Sequence, residues 1–580
     1  MNTLSLEPQM AVNMWQKMAA WARPWLDRMT TREKTILGGL TATVIISGTL
    51  SLVGFIDRHT HLIPQFGGIY REAAVGQPRY VNPVLAGTSD LDLDLASIIY
   101  SSLFKLDNNF NVQNDLAAEY SISDDGKVYT IKLRHDVAWH DGQPLTADDV
   151  VFTIRSIQTP DYGSPLLSSF QGVQVEKTDD YTVTFTLKQP YAPFLANLTV
   201  GIVPHHVWEN IPPKNAALAE QMLKPIGTGP FKFSEIATRR KTGEITTFRV
   251  IRHEGYYGKR PYLDQILFSF YGTHEESVEA LSAGKVDGIG FLPLSLAEQI
   301  KKRASLTTEH LLLPQYFGLF FNQGNNEALS DTGVRSALNL STDRERIIRE
   351  ALGGEGKPLS VPITPGFFHF DSLPTSNYDP EKAKQNLDDA GWKVGDDGIR
   401  QKNNRKLLIK LTTTDWPEYV KTAEVIAQTW KDVGVDVQIE SIGAGTIQQT
   451  VVSPRQYEAL LYGEILPAQP DPYPFWHSTQ TRTPGLNLSL FKDAQVDKLL
   501  EEARKTSDIP VRQEKYTEFI SRILDLNPAI ILYQPYYLSA HTNSVGGSHM
   551  ENISLPAGRF NDIQGWYVKT KRVWGAQSDN

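Results

Sequence analysis

The chain has 580 residues, too many for one hydrophobic core, since cores stop growing at roughly 250–300 residues. Apolar residues make up 41% and charged residues 21%, which excludes a mostly disordered chain, and the formal net charge of −9 gives no support to nucleic-acid binding. There is no cysteine, which excludes disulfides, thiolate zinc and iron–sulfur sites, a cysteine nucleophile and lipidation on cysteine.

Trp15, Met18, Ala22, Trp25 and Met29 recur at helical spacing among basic residues. They read either as a helix lying in the inner-leaflet interface or as a long charged flank. From Ile36 to Ile56 there is no charge, and at about 1.5 Å per residue such a helix spans the roughly 30 Å of bilayer hydrocarbon. Lys17, Arg23, Arg28, Arg32 and Lys34 precede this span, and Arg58 is nearly alone after it. The positive-inside rule therefore keeps 1–35 in the cytoplasm as a basic flank, makes 36–56 a transmembrane signal anchor and exports the rest. No small-x-small cleavage site is evident where the span runs into Phe55-Ile56-Asp57-Arg58, so an uncleaved single-pass anchor is expected. Residues 57–66 are expected to be a linker.

Beyond it, strand-like and helix-like stretches alternate. Val128 to Arg134 and Tyr181 to Leu187 show the period of half-buried strands. Thr146-Ala147-Asp148-Asp149 reads as a capping box, and Asp379-Pro380-Glu381 as a helix start with Gly391 past its end. Leu407 to Leu411 makes a buried strand plausible, Glu424 to Val433 is helical and Val435 to Ile439 is again a strand. The fold class is α/β with more than one domain.

Six motifs occur in one order. They are Gly67-Gly68-Ile69 with Val81-Asn82-Pro83; Leu116-Ala117-Ala118-Glu119 with Ser123-Asp124-Asp125-Gly126-Lys127; the run from Lys132 to Thr153; Gly227-Thr228-Gly229-Pro230-Phe231; Phe321-Asn322 with Val334-Arg335-Ser336-Ala337-Leu338; and Asp379 to Ala383 through Trp392. On these the chain resembles family 5 of the extracellular solute-binding proteins, the oligopeptide-, dipeptide- and nickel-binding class of ABC importers. The motifs themselves are expected to maintain the fold: Asp141-Gly142 as a hairpin turn, Gly227 to Pro230 as a passage between lobes.

The resemblance implies a two-lobed periplasmic-binding-protein-like fold. Lobe I would be 67–270 with an inserted subdomain at about 97–222, lobe II 271–533, and 534–580 would return to lobe I. It also implies hinge closure on a ligand, delivery to a membrane permease and no chemistry. The expected ligand residues are Gly87, Thr88 and Ser89 from lobe I and Tyr462, Gly463, Glu464 and Ile465 at a lobe II strand end, where backbone groups pair with a bound peptide. Tyr257 is expected to pack rather than to bind. An aspartate that often receives a peptide's α-amino group in such proteins is replaced here by Pro467 or Ala468. Either Glu464 supplies the carboxylate or the ligand has no free amino terminus.

The alternatives are the same fold with a nickel chelate, haem or an oligosaccharide, and a ligand sensor. An exported hydrolase is opposed by the residues. His253-Glu254 and His274-Glu275 lack a second histidine at metalloprotease spacing, no G-x-S-x-G elbow occurs, and Gly356-Lys357 is followed by proline. Adjacent His205 and His206 point differently on any regular element and are a poor metal pair. The chain is thus expected to be a monomeric, non-enzymatic binding protein without cofactor, metal or nucleic acid, its partners a peptide or other small solute and an ABC permease.

Overall fold

The structure is a computed structural model that describes residues 23–368, 370 and 377–575, so Trp15, Met18 and Ala22 lie outside it. The chain divides into two units, one of residues up to Gln65 together with those from Lys569, the other Phe66–Val568.

In the first unit a single helix, α1 (Thr31–His59), contains the apolar span. The Glu33 carboxylate caps its start by accepting from the Thr30 N–H at 2.7 Å. The hydroxyls of Thr35, Thr41, Thr43 and Thr49 each donate to the carbonyl four residues back at 2.7–2.9 Å. Each threonine thereby satisfies its own polar atom within the helix, which is what an apolar surrounding demands. The helix runs straight into a strand, β1 (Thr60–Pro64), where a linker was expected.

The second unit begins with β2 (Ile69–Val75) and α2 (Asp90–Ile99). Within the expected inserted subdomain, β3 (Ala117–Ile122), β4 (Val128–Leu133), β5 (Gln174–Asp179) and β6 (Thr182–Thr186) form a separate antiparallel sheet in the order β3-β4-β6-β5. Helix α3 (Ala147–Gln158) opens at Thr146, whose N–H donates to Asp149 at 2.9 Å, as the capping box predicts. β7 (Phe231–Thr238), β8 (Ile245–Arg252) and β9 (Gln265–Tyr271) return to the main sheet beside β2.

After α4 (His274–Ser282), β10 (Gly288–Ile289) pairs parallel with β2, and α5 (Leu294–Lys301) follows. Ala73, Val278, Leu281, Ile289 and Ile300 share one core. By pairing and packing, the chain therefore stays with the first half of the sheet well past Tyr271.

The crossing comes with β11 (Leu306–Leu312) and β12 (Gln315–Phe321). After β13 (Gly356–Pro358), the strands β14 (Leu408–Thr414), β15 (Asp436–Ile442) and β16 (Ala459–Ile465) build the second half around β12. The long β17 (Ala529–Thr542) then pairs with strands of both halves. The order is β15-β14-β16-β12-β17-β10-β2-β9-β8-β7, with β11 and β13 also on β17.

Both faces of the second half are buried. Leu319 and Phe321 enter one core while Tyr316 and Phe320 enter the other, and along β17 Ile530 and Leu532 alternate in the same way with Ala529 and Ile531. Burial on both faces is why these strands read as unbroken apolar runs. The last strand, β18 (Thr570–Trp574), leaves this unit and pairs antiparallel with β1, from Thr60↔Trp574 to Pro64↔Thr570.

The Gly227-Thr228-Gly229-Pro230 turn packs against the end of α2 with no room for a side chain. A Cβ on Gly227 would lie 1.9 Å from the Ile99 carbonyl oxygen, and the Gly229 N–H donates to that same oxygen at 2.8 Å. The turn also fixes His140, whose Nδ1 accepts from the Gly227 N–H at 3.2 Å while its Nε2 lies 3.1 Å from the Gly229 oxygen. Burial pushes this imidazole down to about 3. Since the obstruction is backbone, Gly227→Ala is expected to cost about 3 kcal/mol, read as a lower unfolding midpoint in denaturant with an unchanged slope.

Candidate functional site

The first expected ligand segment is shaped by Asn82. Its side-chain oxygen accepts from the Val84 N–H at 2.9 Å, and its carbonyl accepts from Leu85 and Ala86 at 2.9 and 2.8 Å. The chain then makes one turn of 3-10 helix, Ala86–Thr88, and Ser89 caps α2. Gly87 and Thr88 are exposed. A Cβ on Gly87 would meet Pro165 Cγ at 3.0 Å, so glycine keeps this turn close to the inserted subdomain. Gly87 lines a groove of about 490 Å³ with Leu93, Phe104, Leu166 and Leu555. Ser89 lines a second cavity, of about 340 Å³, with Asp90, Phe291 and Tyr537.

That second cavity is backed by a buried ion network. Arg559 donates to both oxygens of Asp94, at 2.5 and 2.7 Å, and to Glu72 at 2.9 Å, while Tyr70 donates its hydroxyl to Glu72. Burial raises the Glu72 carboxyl even beside the guanidinium. Glycines clear the space, since a Cβ on Gly290 would stand 2.3 Å from the guanidinium. This network ties the returning tail to β2 and α2.

The second expected segment lies on β16, in register Tyr462↔Gly318, Gly463↔Phe317, Glu464↔Tyr316 and Ile465↔Gln315. On its other edge β16 pairs with β14 only at Ala459 and Leu460. The Leu466 N–H donates toward β12, to the Pro314 oxygen at 2.7 Å. By the alternation of an antiparallel ladder, the N–H and C=O of Gly463 and Ile465 therefore point to the edge that β14 leaves unpaired. A Cβ on Gly463 would lie 2.6 Å from the Phe317 ring, and Ile465 is exposed. The two expected segments share no hydrogen bond among the described residues.

Glu464 is not a surface carboxylate. It is 5% exposed, accepts from the Tyr316 hydroxyl through one oxygen and leaves the other without a partner among the described residues. Burial pushes its carboxyl up to about 8, so at neutral pH it carries a proton.

The loop after β16 reaches the first half of the unit through residues that the sequence did not single out. Asp471 accepts from Arg504 Nε and Nη2 at 3.1 and 2.8 Å and from the Tyr191 hydroxyl at 3.3 Å. The Arg504 guanidinium carbon lies 4.2 Å from the Tyr473 ring centre and 5.3 Å from that of Tyr191, and the Arg504 carbonyl accepts from the Ala192 N–H at 2.9 Å. Nothing local in the sequence links Tyr191, Asp471 and Arg504. Pro467 and Ala468, at the expected aspartate position, carry no charge. Tyr257 packs as expected, under Arg134, with its hydroxyl donated to Asp115 at 2.6 Å. His206 goes to Asp141 at 2.8 Å and His205 to Glu209 at 3.3 Å.

The Glu464 carboxyl binds a proton in the folded state that it loses near 4.3 when unfolded. Its stabilisation is complete below the unfolded value and is lost as pH rises toward about 8. Thermal melts from pH 5 to 8.5 should show Glu464→Gln removing a downward slope of at most about 1.4 kcal/mol per pH unit, since the amide oxygen still accepts from Tyr316.

The sequence profile of the bacterial extracellular solute-binding proteins, family 5, matches residues 111–486. The chain is 31% identical over 482 residues to the oligopeptide-binding protein AppA of Bacillus subtilis, covering 81% of this chain and 87% of that one. The solved structure of that AppA in complex with a nonapeptide superposes with a TM-score of 0.65 at 29% identity, over 87% of this chain and 100% of the other. NikZ from Campylobacter jejuni in complex with Ni(L-His) gives 0.67 at 26% identity, over 86% and 99%. These relatives are binding proteins rather than enzymes. With two half-sheets joined by crossing strands and a profile match over most of its length, the chain belongs to family 5 of the bacterial extracellular solute-binding proteins.

Proposed function

We propose that the chain is the membrane-anchored solute-binding component of an ABC importer, taking oligopeptides between the two halves of its sheet and handing them to a permease. The carrying observation is the unpaired edge at Gly463 and Ile465. It offers backbone donors and acceptors to an extended ligand, which is affinity without side-chain readout. Gly87, Thr88 and Ser89 are the facing contribution from the first half, and the hinge lies in the crossing strands. The similarity to AppA, solved with a nonapeptide, supports a peptide of several residues.

Glu464, buried and protonated, is a poor partner for an ammonium, and Pro467 and Ala468 are no better. A buried cation without a partner costs several kcal/mol even after relaxation. The ligand on this reading is held by its backbone, and its amino terminus is blocked or left in water. A non-peptide cargo, such as the nickel chelate seen in NikZ, is the outcome to be told apart.

In calorimetry on the full chain, a peptide and its N-acetylated form are expected to bind within about threefold of each other, under 1 kcal/mol. A strong preference for the free amine that survives in Glu464→Gln would sink this reading, and failure of both forms would favour non-peptide cargo. Spin labels on Lys214→Cys and Lys431→Cys are expected to approach each other when a binding ligand is added, and an unchanged distance would remove hinge closure.

The anchor reading rests on α1, which has 29 residues, an uncharged run from Ile36 to Ile56 and no buried residue, and on the basic residues before it. Protease added to intact spheroplasts should remove the binding unit; its protection would overturn the topology. The unit acts as a monomer on this reading.

A further inference from the structure

We propose that the ribbon formed by β1 and β18 lies in the headgroup layer of the membrane, a second contact with anionic lipid beside the helix. The inference rests on the anchor reading above. Sequence places Trp574 more than five hundred residues from the apolar span, yet pairing brings its ring to 6.3 Å from that of Phe55. Phe55 in turn stacks on His59 at 4.1 Å. These rings sit where α1 ends its uncharged run at Ile56, the level at which a spanning helix leaves hydrocarbon, and aromatic side chains collect at that level.

The ribbon's own chemistry fits such a surface. Register places Trp574, Leu62 and Arg572 on one face, because Thr60 opposes Trp574 and Leu62 opposes Arg572. Trp574 is 68% and Leu62 58% exposed, an apolar display with nothing over it among the described residues. Around them stand Arg58, Lys569, Lys571 and Arg572 against one carboxylate, Asp57, which Arg572 engages at 2.6 Å. Four cations and one anion give the segments 57–64 and 569–575 a formal charge of +3, in a chain whose total is −9. Apolar rings beside an excess of cations, at the end of a lipid-length helix, match the boundary between acyl chains and anionic headgroups. The strand is too short to leave that layer at once, since five residues extend about 17 Å at most.

The absence of cysteine makes the test clean. The full chain is reconstituted in vesicles of phosphatidylcholine with phosphatidylglycerol. A fluorophore is placed on Trp574→Cys, on Thr570→Cys at the other end of β18, on Ser47→Cys inside the span, or on Lys188→Cys in the binding unit. A nitroxide quencher sits on the lipid near the headgroup or deep in the acyl chain. The label at position 574 is expected to be quenched by the shallow nitroxide at least ~threefold more than the label at 188, and less in phosphatidylcholine alone. Position 570 covers the case in which losing Trp574 disturbs the ribbon. Deep quenching at 47 with positions 574 and 570 no more quenched than 188 would overturn the ribbon contact and leave the anchor standing. No quenching at 47 would overturn the anchor, and the ribbon contact with it.

Discussion

The binding unit depends on one strand that belongs to two half-sheets. β17 pairs with β12 from Ala529 to Tyr533 and with β11 from Tyr536 to Thr542. Between these ladders the residues Gln534 and Pro535 face the turn at Leu313 and Pro314. Neither proline has an N–H to carry this ladder on, so the two crossing strands stop pairing with each other here, while β17 keeps its other edge on β13 through Lys357↔Gln534 and Gly356↔Pro535. Gln534, 3% exposed, spans the gap by donating to the Leu313 oxygen at 2.7 Å.

Two further long-range polar contacts differ in where they act: one lies within the first half of the sheet and one joins the two halves. The Arg559 network is wholly within the first half and buried. A buried ion network is weak evidence for stability, because desolvating its charges offsets much of their attraction. Its geometry instead fixes register: the returning tail meets β2 and α2 only where both carboxylates can be engaged. Arg504 with Asp471 is a different case, its carboxylate buried and its guanidinium partly exposed, joining the second half to Tyr191 and Ala192 of the inserted subdomain.

Local patterns made much of this legible. The capping residues at Thr146 and Asp379, the strands at 128–133 and 182–186 and the apolar runs of β14 and β15 follow from period and cap chemistry, which need only neighbouring residues. The resemblance supplied the family, which the match over residues 111–486 shows. What stayed hidden depends on pairs far apart in the chain. Glu464 reads as a polar residue at a strand end, and only the register opposite Tyr316 reveals that it faces a core. Thr60 to Pro64 resembles a linker because its proline and its short length say so, and only the distant partner Thr570 to Trp574 makes it a strand. The segment after Tyr271 was assigned by analogy, whereas β10 shows that it still pairs with β2.

The chain passes between its two units twice, after Gln65 and before Lys569. A flexible single-chain tether would let a binding unit rotate freely, and its effective concentration at a permease would be set by linker length alone. Here two strands leave the binding unit, through Gln65 and Lys569, and the Gln65 N–H donates to the Lys569 carbonyl at 2.9 Å. A paired ribbon resists twisting in a way that a single strand does not, because turning it would break its ladder. The ladder from Thr60↔Trp574 to Pro64↔Thr570 is what brings so remote a segment of the sequence to the end of the apolar helix.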